Sequence, residues 1–390
     1  MRRGLAAAAA AAGTVVAAAR VGDAMVARVE RRMNVVHRPP PYHASERAVE
    51  LHATLDVVDL HADSLLWGRD LLVRGDRGHV DVPRLIEGGV ALQGLAVCTK
   101  VPRKINLDRN DDRTDDVLLL ALAQRWPPTT WRSLLARALR QAGRAQRFAD
   151  ASGGALTLIR SRGDLAAHLA RRATDRGVTA AFLAIEGAHA LDGDAANVDV
   201  LADSGYRMMS PTHFFDNAFG GSAHGIDKGR LTARGRDMVE RMESRSMLVD
   251  VSHASVATVD DVLAMAKRPV VASHTGVSGS CTSVRNLGDE HLRAIAGTGG
   301  LIGIGFWPEV CCGDDGRAIA RSARHAVDVM GVEHVGLGSD FDGAVPVPFD
   351  ATGLAQVTDA LIEAGFGDDD VRRVMGGNVL RLLAENLPER

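Results

Sequence analysis

The chain has 390 residues, 46% of them hydrophobic and 24% charged, with a formal net charge of -3. These are globular proportions over a length that suits one large domain or two ordinary ones. The near-neutral balance gives no broad basic field and the aromatic content of 4% leaves few stacking platforms, so no nucleic-acid partner is expected.

Met1-Arg2-Arg3 is followed by an uncharged, mostly Ala stretch from Gly4 to Ala19 and then by Arg20. A basic start before an apolar run predicts a signal peptide or N-terminal membrane anchor over 1–33, and hence a protein exported or membrane-anchored, facing outside the cytoplasm. The run is short for a span of about 20 residues and Ala is weakly hydrophobic. A solvent-exposed Ala-rich helix is the competing reading. Residues 34–50, with Val36-His37-Arg38-Pro39-Pro40-Pro41-Tyr42, read as an extended linker into a catalytic domain over 51–390.

In chain order, eight short runs of apolar or β-favouring residues follow: 57–60, 91–97, 180–185, 206–212, 247–252, 269–273, 300–306 and 334–339. Helix-length segments separate them, among them Thr232 to Arg245, Ser255 to Lys267, Asp289 to Ala296 and Arg317 to Met330. Ser255 and Asp289 are expected N-caps. Eight strands alternating with helices predict a closed (β/α)8 TIM barrel, and no GxGxxG follows the first strand to favour an open doubly wound sheet. Between 98 and 178, two helical patterns split by Pro127-Pro128 predict a helical insertion at about 104–150, beside the mouth or against the barrel's side. Helices at about 353–364 and 368–385 end the chain.

Five of the strand runs stop at a residue able to hold a metal ion. The first leads into His61-Ala62-Asp63, and others end at Glu186, His253, His274 and Asp340. Carboxyl ends of strands are where such a barrel keeps its active site. Residues i and i+2 of a strand share a face, so His61 and Asp63 can reach one ion. Imidazole and carboxylate together suit zinc and similar divalent metals. A single HxD or lone His carries little weight in a chain with 14 His; equivalent positions in separate βα units carry much more. Glu186 closes an apolar strand where an unpaired carboxylate would be costly. Its two oxygens can bridge two ions, and five ligands exceed what one catalytic zinc needs. The expected chemistry is metal-assisted hydrolysis.

His213, Arg285 and Asp340 lie at or beyond strand ends without needing to be ligands. Arg285 can grip a substrate carboxylate in a bidentate pair. His213 can donate to a developing oxyanion, and Asp340 can relay a proton or bind an ammonium group. Asp342 competes with Asp340 for these roles, and spacing does not choose between them. Ser252 and Ser273 precede two of the histidines, but no GxSxG elbow supports a serine hydrolase.

The segments VVDLHAD, AIEGAH, SPTHFFDN, LVDVSHAS, VVASHTG, Arg285-Asn286, GLGSDFDG and Gly376-Gly377-Asn378-Val379-Leu380-Arg381 resemble, in order and over about 57–381, the membrane dipeptidase (renal dipeptidase) family of zinc metallopeptidases. The resemblance implies a (β/α)8 barrel of the metal-dependent hydrolase type with two Zn2+ per chain. It assigns His61 and Asp63 to one zinc, His253 and His274 to the other, and Glu186 as the bridge. It further implies that His213 and Arg285 contact substrate and that Asp340, not Asp342, handles the proton or the amino group. Cys281 and the Cys311-Cys312 pair fall where such proteins can carry a disulfide, its partner left open. The loop 212–225 keeps His213 in surroundings unlike the animal enzymes, so the preferred dipeptide is open, an L,D-dipeptide included.

The expected function is hydrolysis of a free dipeptide by a metal-bridging hydroxide, with Glu186 and Asp340 catalytic and Arg285 fixing the terminal carboxylate. Hydrolysis of another small amide, a β-lactam or an N-acyl amino acid, is the alternative, and a non-catalytic binding protein on the same barrel is the more distant one. Membrane attachment through the amino terminus and a homodimer are compatible arrangements.

Overall fold

The computed structural model describes residues 19–390. Nine strands form: β1 (Val57–Ala62), β2 (Val90–Cys98), β3 (Leu156–Leu158), β4 (Thr179–Glu186), β5 (Tyr206–Met209), β6 (Leu248–Asp250), β7 (Val270–Thr275), β8 (Leu301–Ile304) and β9 (Val335–Leu337). Every pairing is parallel, and eight strands close a ring in the order β1-β2-β4-β5-β6-β7-β8-β9, with Asp59 of β1 set against Leu337 of β9. The barrel anticipated from the sequence is therefore observed. The additional strand β3 pairs only with the first residues of β4, outside the ring. β2 and β4 are buried along their whole length, as strands with both faces covered must be, which is why they read as near-continuous apolar runs. The run expected over 206–212 stops at Met209, since Pro211 cannot donate to the ladder.

Helices cover the ring. Ser255 caps Val256–Met265 by accepting from the Thr258 amide at 3.1 Å, as expected. At Asp289–Gly297 the cap is Gly288 rather than Asp289; the Asp289 carboxylate instead faces His325 at 2.8 Å. The last helix, Asn378–Asn386, presents Val379, Leu382 and Leu383 to a buried cluster with Val58, Leu60, Phe182 and Leu301. Strands approach so closely at β9 that a methyl group on Gly338 would lie 1.9 Å from the Ser273 carbonyl oxygen. Only Gly fits at that point.

The insertion is two helices, Asp116–Ala123 and Leu134–Ala151, broken at the Pro pair. The second is tied to the mouth side: Arg137 and Gln141 donate to the carbonyls of Thr99 (2.7 Å) and Cys98 (3.2 Å) at the end of β2, and Arg144 to Leu65 after β1 (2.9 Å).

The amino-terminal part of the leader expectation, 1–18, lies outside the described residues. Residues 19–33, expected to stand apart from the domain, instead form a helix, α1, packed on it. Val26 of α1 joins Trp67, Val117 and Trp126, and Glu30 is fully buried. The expected linker is also built in: Val36 bridges to Val347, and Ser45 caps α2 (Glu46–His52). No described helix is long and apolar enough to cross a membrane. Cys281 pairs with Cys312 across 31 residues, leaving Cys98 and Cys311 as buried thiols.

Candidate metal centre

At the carboxyl mouth of the ring, β1 supplies His61, β4 ends on Glu186 and β7 carries His274. His253 and Asp340 stand just past β6 and β9, each with φ 61°, a left-handed conformation that is uncommon in residues with a Cβ and turns the chain sharply at the strand end. All five side chains, with Asp63, are buried.

Glu186 is the hub. Its Oε1 lies 3.2 Å from His253 Nε2, 3.2 Å from His274 Nε2 and 3.5 Å from His61 Nε2, while Oε2 lies 3.1 Å from His213 Nε2. His61 Nε2 is also 3.5 Å from Asp63 Oδ2 and 4.0 Å from Asp340 Oδ1. Ligand-bearing atoms of His61, Glu186 and His274 cluster, as do those of His61, Asp63 and Asp340. The sequence-predicted residues therefore converge on one pocket, with His61 common to both groups. Asp342 does not join them. Its carboxylate points to Ser64 (2.5 Å), the His79 amide (2.6 Å) and Arg69.

Why the imidazoles face inward is legible in their outer nitrogens. Ser273 Oγ donates to Asp250 Oδ2 at 2.5 Å, which leaves it to accept from His274 Nδ1 (2.9 Å) and His61 Nδ1 (3.3 Å). A proton held on Nδ1 leaves the Nε2 lone pair aimed at the centre, the tautomer a metal ligand needs. Asp59 braces the Asp340 loop similarly, accepting from the Ser339 amide and hydroxyl, each at 2.7 Å.

Electrostatically the pocket is unbalanced by protein groups alone. Burial pushes the Glu186 carboxyl well above its usual range, and Asp63 pushes it further. Burial likewise lifts Asp340 to about 8, against the attraction of His61. Burial holds His213, His253 and His274 well below their ordinary value, so these rings are neutral. At His61 burial opposes the charge, but Glu186, Asp63 and Asp340 prevail and raise it to about 10. His61 Nε2, Asp63 Oδ1 and His253 Nδ1 are buried without a hydrogen-bond partner. Crowded carboxylates, neutral imidazoles and orphaned donor atoms are the features a divalent cation relieves, and the residues fit one.

Around the hub, the Arg285 guanidinium donates to the His274 carbonyl at 2.9 Å and stacks 5.6 Å from the Trp307 ring. A cavity of about 580 Å³ opens beside His253 and Arg285, walled in part by Val251, Ala254, Val256, Val284 and Leu287. Asp250, Asp59 and Cys98 also belong to the site and are not among the residues expected from the sequence. Asp59 and His61 share a strand face, a signal that could have been used. Cys98, the last residue of β2, lies 3.7 Å from His213 Nδ1 and clusters with Glu186; no spacing pointed to it.

Residues 45–388 match the family model described as membrane dipeptidase (peptidase family M19). The chain is 33% identical over 219 residues to the dipeptidase aclJ of Aspergillus oryzae, covering 54% of this chain and 52% of that protein. It is 31% identical over 248 residues to an uncharacterized protein in the pqqA 5' region of Klebsiella pneumoniae, covering 60% and 89%. Among solved structures it resembles the dipeptidase AC, a family M19 metallopeptidase, at 25% identity and TM-score 0.70 over 86% of this chain and all of that one. A metallopeptidase from Rhodobacter sphaeroides, liganded with a phosphinate mimic of the dipeptide L-Ala-D-Ala, gives 26% identity and TM-score 0.70 over 86% and 99%.

Proposed function

Since the chain belongs to the membrane dipeptidase family of metallopeptidases, we propose that its activity is hydrolysis of free dipeptides at a centre holding two zinc ions. His61 and Asp63 would hold one ion and His253 and His274 the other, with Glu186 shared by both. The observation that carries this reading is the convergence of three imidazole Nε2 atoms on Glu186 Oε1 within 3.5 Å. When bound, the metal pair lowers the pKa of water to give a nucleophile near neutral pH and polarises the scissile carbonyl.

The remaining steps belong to this chain's own residues. Arg285, buried beside the centre, pairs with the terminal carboxylate of the substrate. Gripping that carboxylate one residue from the scissile bond makes the enzyme an exopeptidase for dipeptides. Asp340, its Oδ1 4.0 Å from His61 Nε2, takes up the proton of the attacking water and passes it to the leaving amine nitrogen. His213, whose Nε2 lies 3.1 Å from Glu186 Oε2, would donate toward the developing oxyanion.

The dipeptide mimic carried by the Rhodobacter relative supports an L,D-dipeptide among the substrates. Export or membrane tethering is proposed from the basic, Ala-rich start, and the Cys281–Cys312 bridge suits an oxidising compartment. A screen of free L,L- and L,D-dipeptides tests the activity. Hydrolysis should vanish with chelator and return with zinc; turnover confined to β-lactams or N-acyl amino acids would reject the reading.

A further inference from the structure

The segment ahead of the barrel reaches the loop that carries Asp340. Glu30 of α1 is fully buried and accepts from Arg69 through Oε1 and from Arg77 Nε through Oε2 at 2.6 Å. Arg69 spans the gap: its Nη2 donates to Asp342 Oδ2 and its Nη1 to the Val80 carbonyl. Asp342 is gripped on every side, by Ser64, by the His79 amide, and through its own carbonyl by Trp67 Nε1 at 2.7 Å. Its amide meets His79 Nδ1 at 2.9 Å. Four residues beyond Glu30, Asn34 Oδ1 accepts from the Ala344 amide at 2.8 Å.

The loop needs this support. Asp340, Asp342 and Ala344 all take φ 61°. A left-handed residue with a Cβ costs about 1–3 kcal/mol and persists only where its surroundings over-determine it. Arg69 is the buried cation between two buried carboxylates, Glu30 and Asp342, and the half-buried Arg77 adds a second contact to Glu30. Removing Glu30 leaves the buried Arg69 guanidinium with Asp342 as its one remaining carboxylate partner.

We propose that Glu30, acting through Arg69 and Asp342, and Asn34, acting on Ala344, are positioning residues that fix Asp340 over the metal centre, making the helix ahead of the barrel a working part of the active site. This rests on the reading of Asp340 as the proton carrier.

The full chain, zinc-loaded, is assayed on a free dipeptide as Glu30→Gln, Asn34→Ala, Val26→Ala and Asp340→Asn. Val26 is the uncharged anchor of α1 in the buried cluster with Trp67, Val117 and Trp126. Glu30→Gln and Asn34→Ala should each lower kcat by about tenfold or more, because a misplaced catalytic group costs rate at the chemical step. KM and bound zinc should stay within about twofold, and Val26→Ala should lower the melting temperature with kcat within about twofold. The positioning role is overturned if Glu30→Gln and Asn34→Ala keep kcat, lose it only together with zinc, or do no more than Val26→Ala. Should Glu30→Gln fail to fold, Asn34→Ala decides alone. An Asp340→Asn enzyme of normal kcat would reject the proton-carrier reading itself, whatever Glu30 does.

Discussion

His253 and His274, from consecutive βα units, bring their Nε2 atoms within 3.0 Å of each other, and each lies 3.2 Å from the same oxygen of Glu186. Both rings are buried and neutral, so at most one of the facing nitrogens can donate to the other. The arrangement is poor as a hydrogen-bond network and good as a set of lone pairs. It is what places a cation, rather than a proton, at the centre of the account.

The Asp250–Ser273 pair sets the tautomer of His61 and His274 from behind. Asp250→Asn should therefore weaken metal retention or activity by about 10–100-fold, the usual cost of losing an outer partner of a metal ligand. Zinc affinity measured by competition with a chromogenic chelator checks this; wild-type affinity and kcat would remove Asp250 from the site's support.

Arg285→Ala should raise KM for free dipeptides by about 10–100-fold, as expected for losing a charged hydrogen bond worth about 1.5–3 kcal/mol. A C-terminally amidated dipeptide, lacking the anion, should respond far less. Equal losses on the two substrates would show that Arg285 does not read the carboxylate.

Of this site, the parts on strands were the legible ones. His61, Asp63, Glu186, His253 and His274 could be read because a polar residue ending an apolar run is anomalous unless something pairs with it. The choice of Asp340 over Asp342 was not in the spacing; it depends on Arg69 and Ser64, far off in sequence, claiming Asp342. Glu30 was hidden for another reason. An Ala-rich stretch reads as a leader, and nothing local reveals that Glu30 at its far end meets Arg69 in a buried ion pair. β3 escaped because three residues on the edge of β4 carry no periodicity to detect.

Two buried neutral histidines outside the metal centre each carry a stability contribution that acid removes. Burial holds His79 neutral, down to about 4, and His189 down to about 3, from an ordinary 6.5. The unfolded chain thus takes up protons first. Stability is full above about pH 6.5 and is lost as pH falls from there toward 4, by on the order of 1 kcal/mol per pH unit for each such group. Urea unfolding of the wild type beside His79→Gln across that interval tests it; a stability difference between the two that does not change with pH would contradict it.

The disulfide predicts a thiol count. Denatured without reductant the chain should show two reactive thiols, Cys98 and Cys311, and with reductant all four Cys. Cys281→Ser should lower stability by about 3–4 kcal/mol, the loop-closure value for a bridge of this span. Four thiols without reductant would show that the bridge does not form.

The most direct test of the metal account is the zinc content of purified protein beside that of Glu186→Ala. The wild-type chain should carry close to two zinc. Glu186→Ala should retain zinc poorly on dialysis and lose turnover by about a thousandfold or more, as for removal of a principal catalytic group. Wild-type protein without zinc after zinc-supplemented preparation, or a Glu186→Ala enzyme that keeps both metal and turnover, would contradict it.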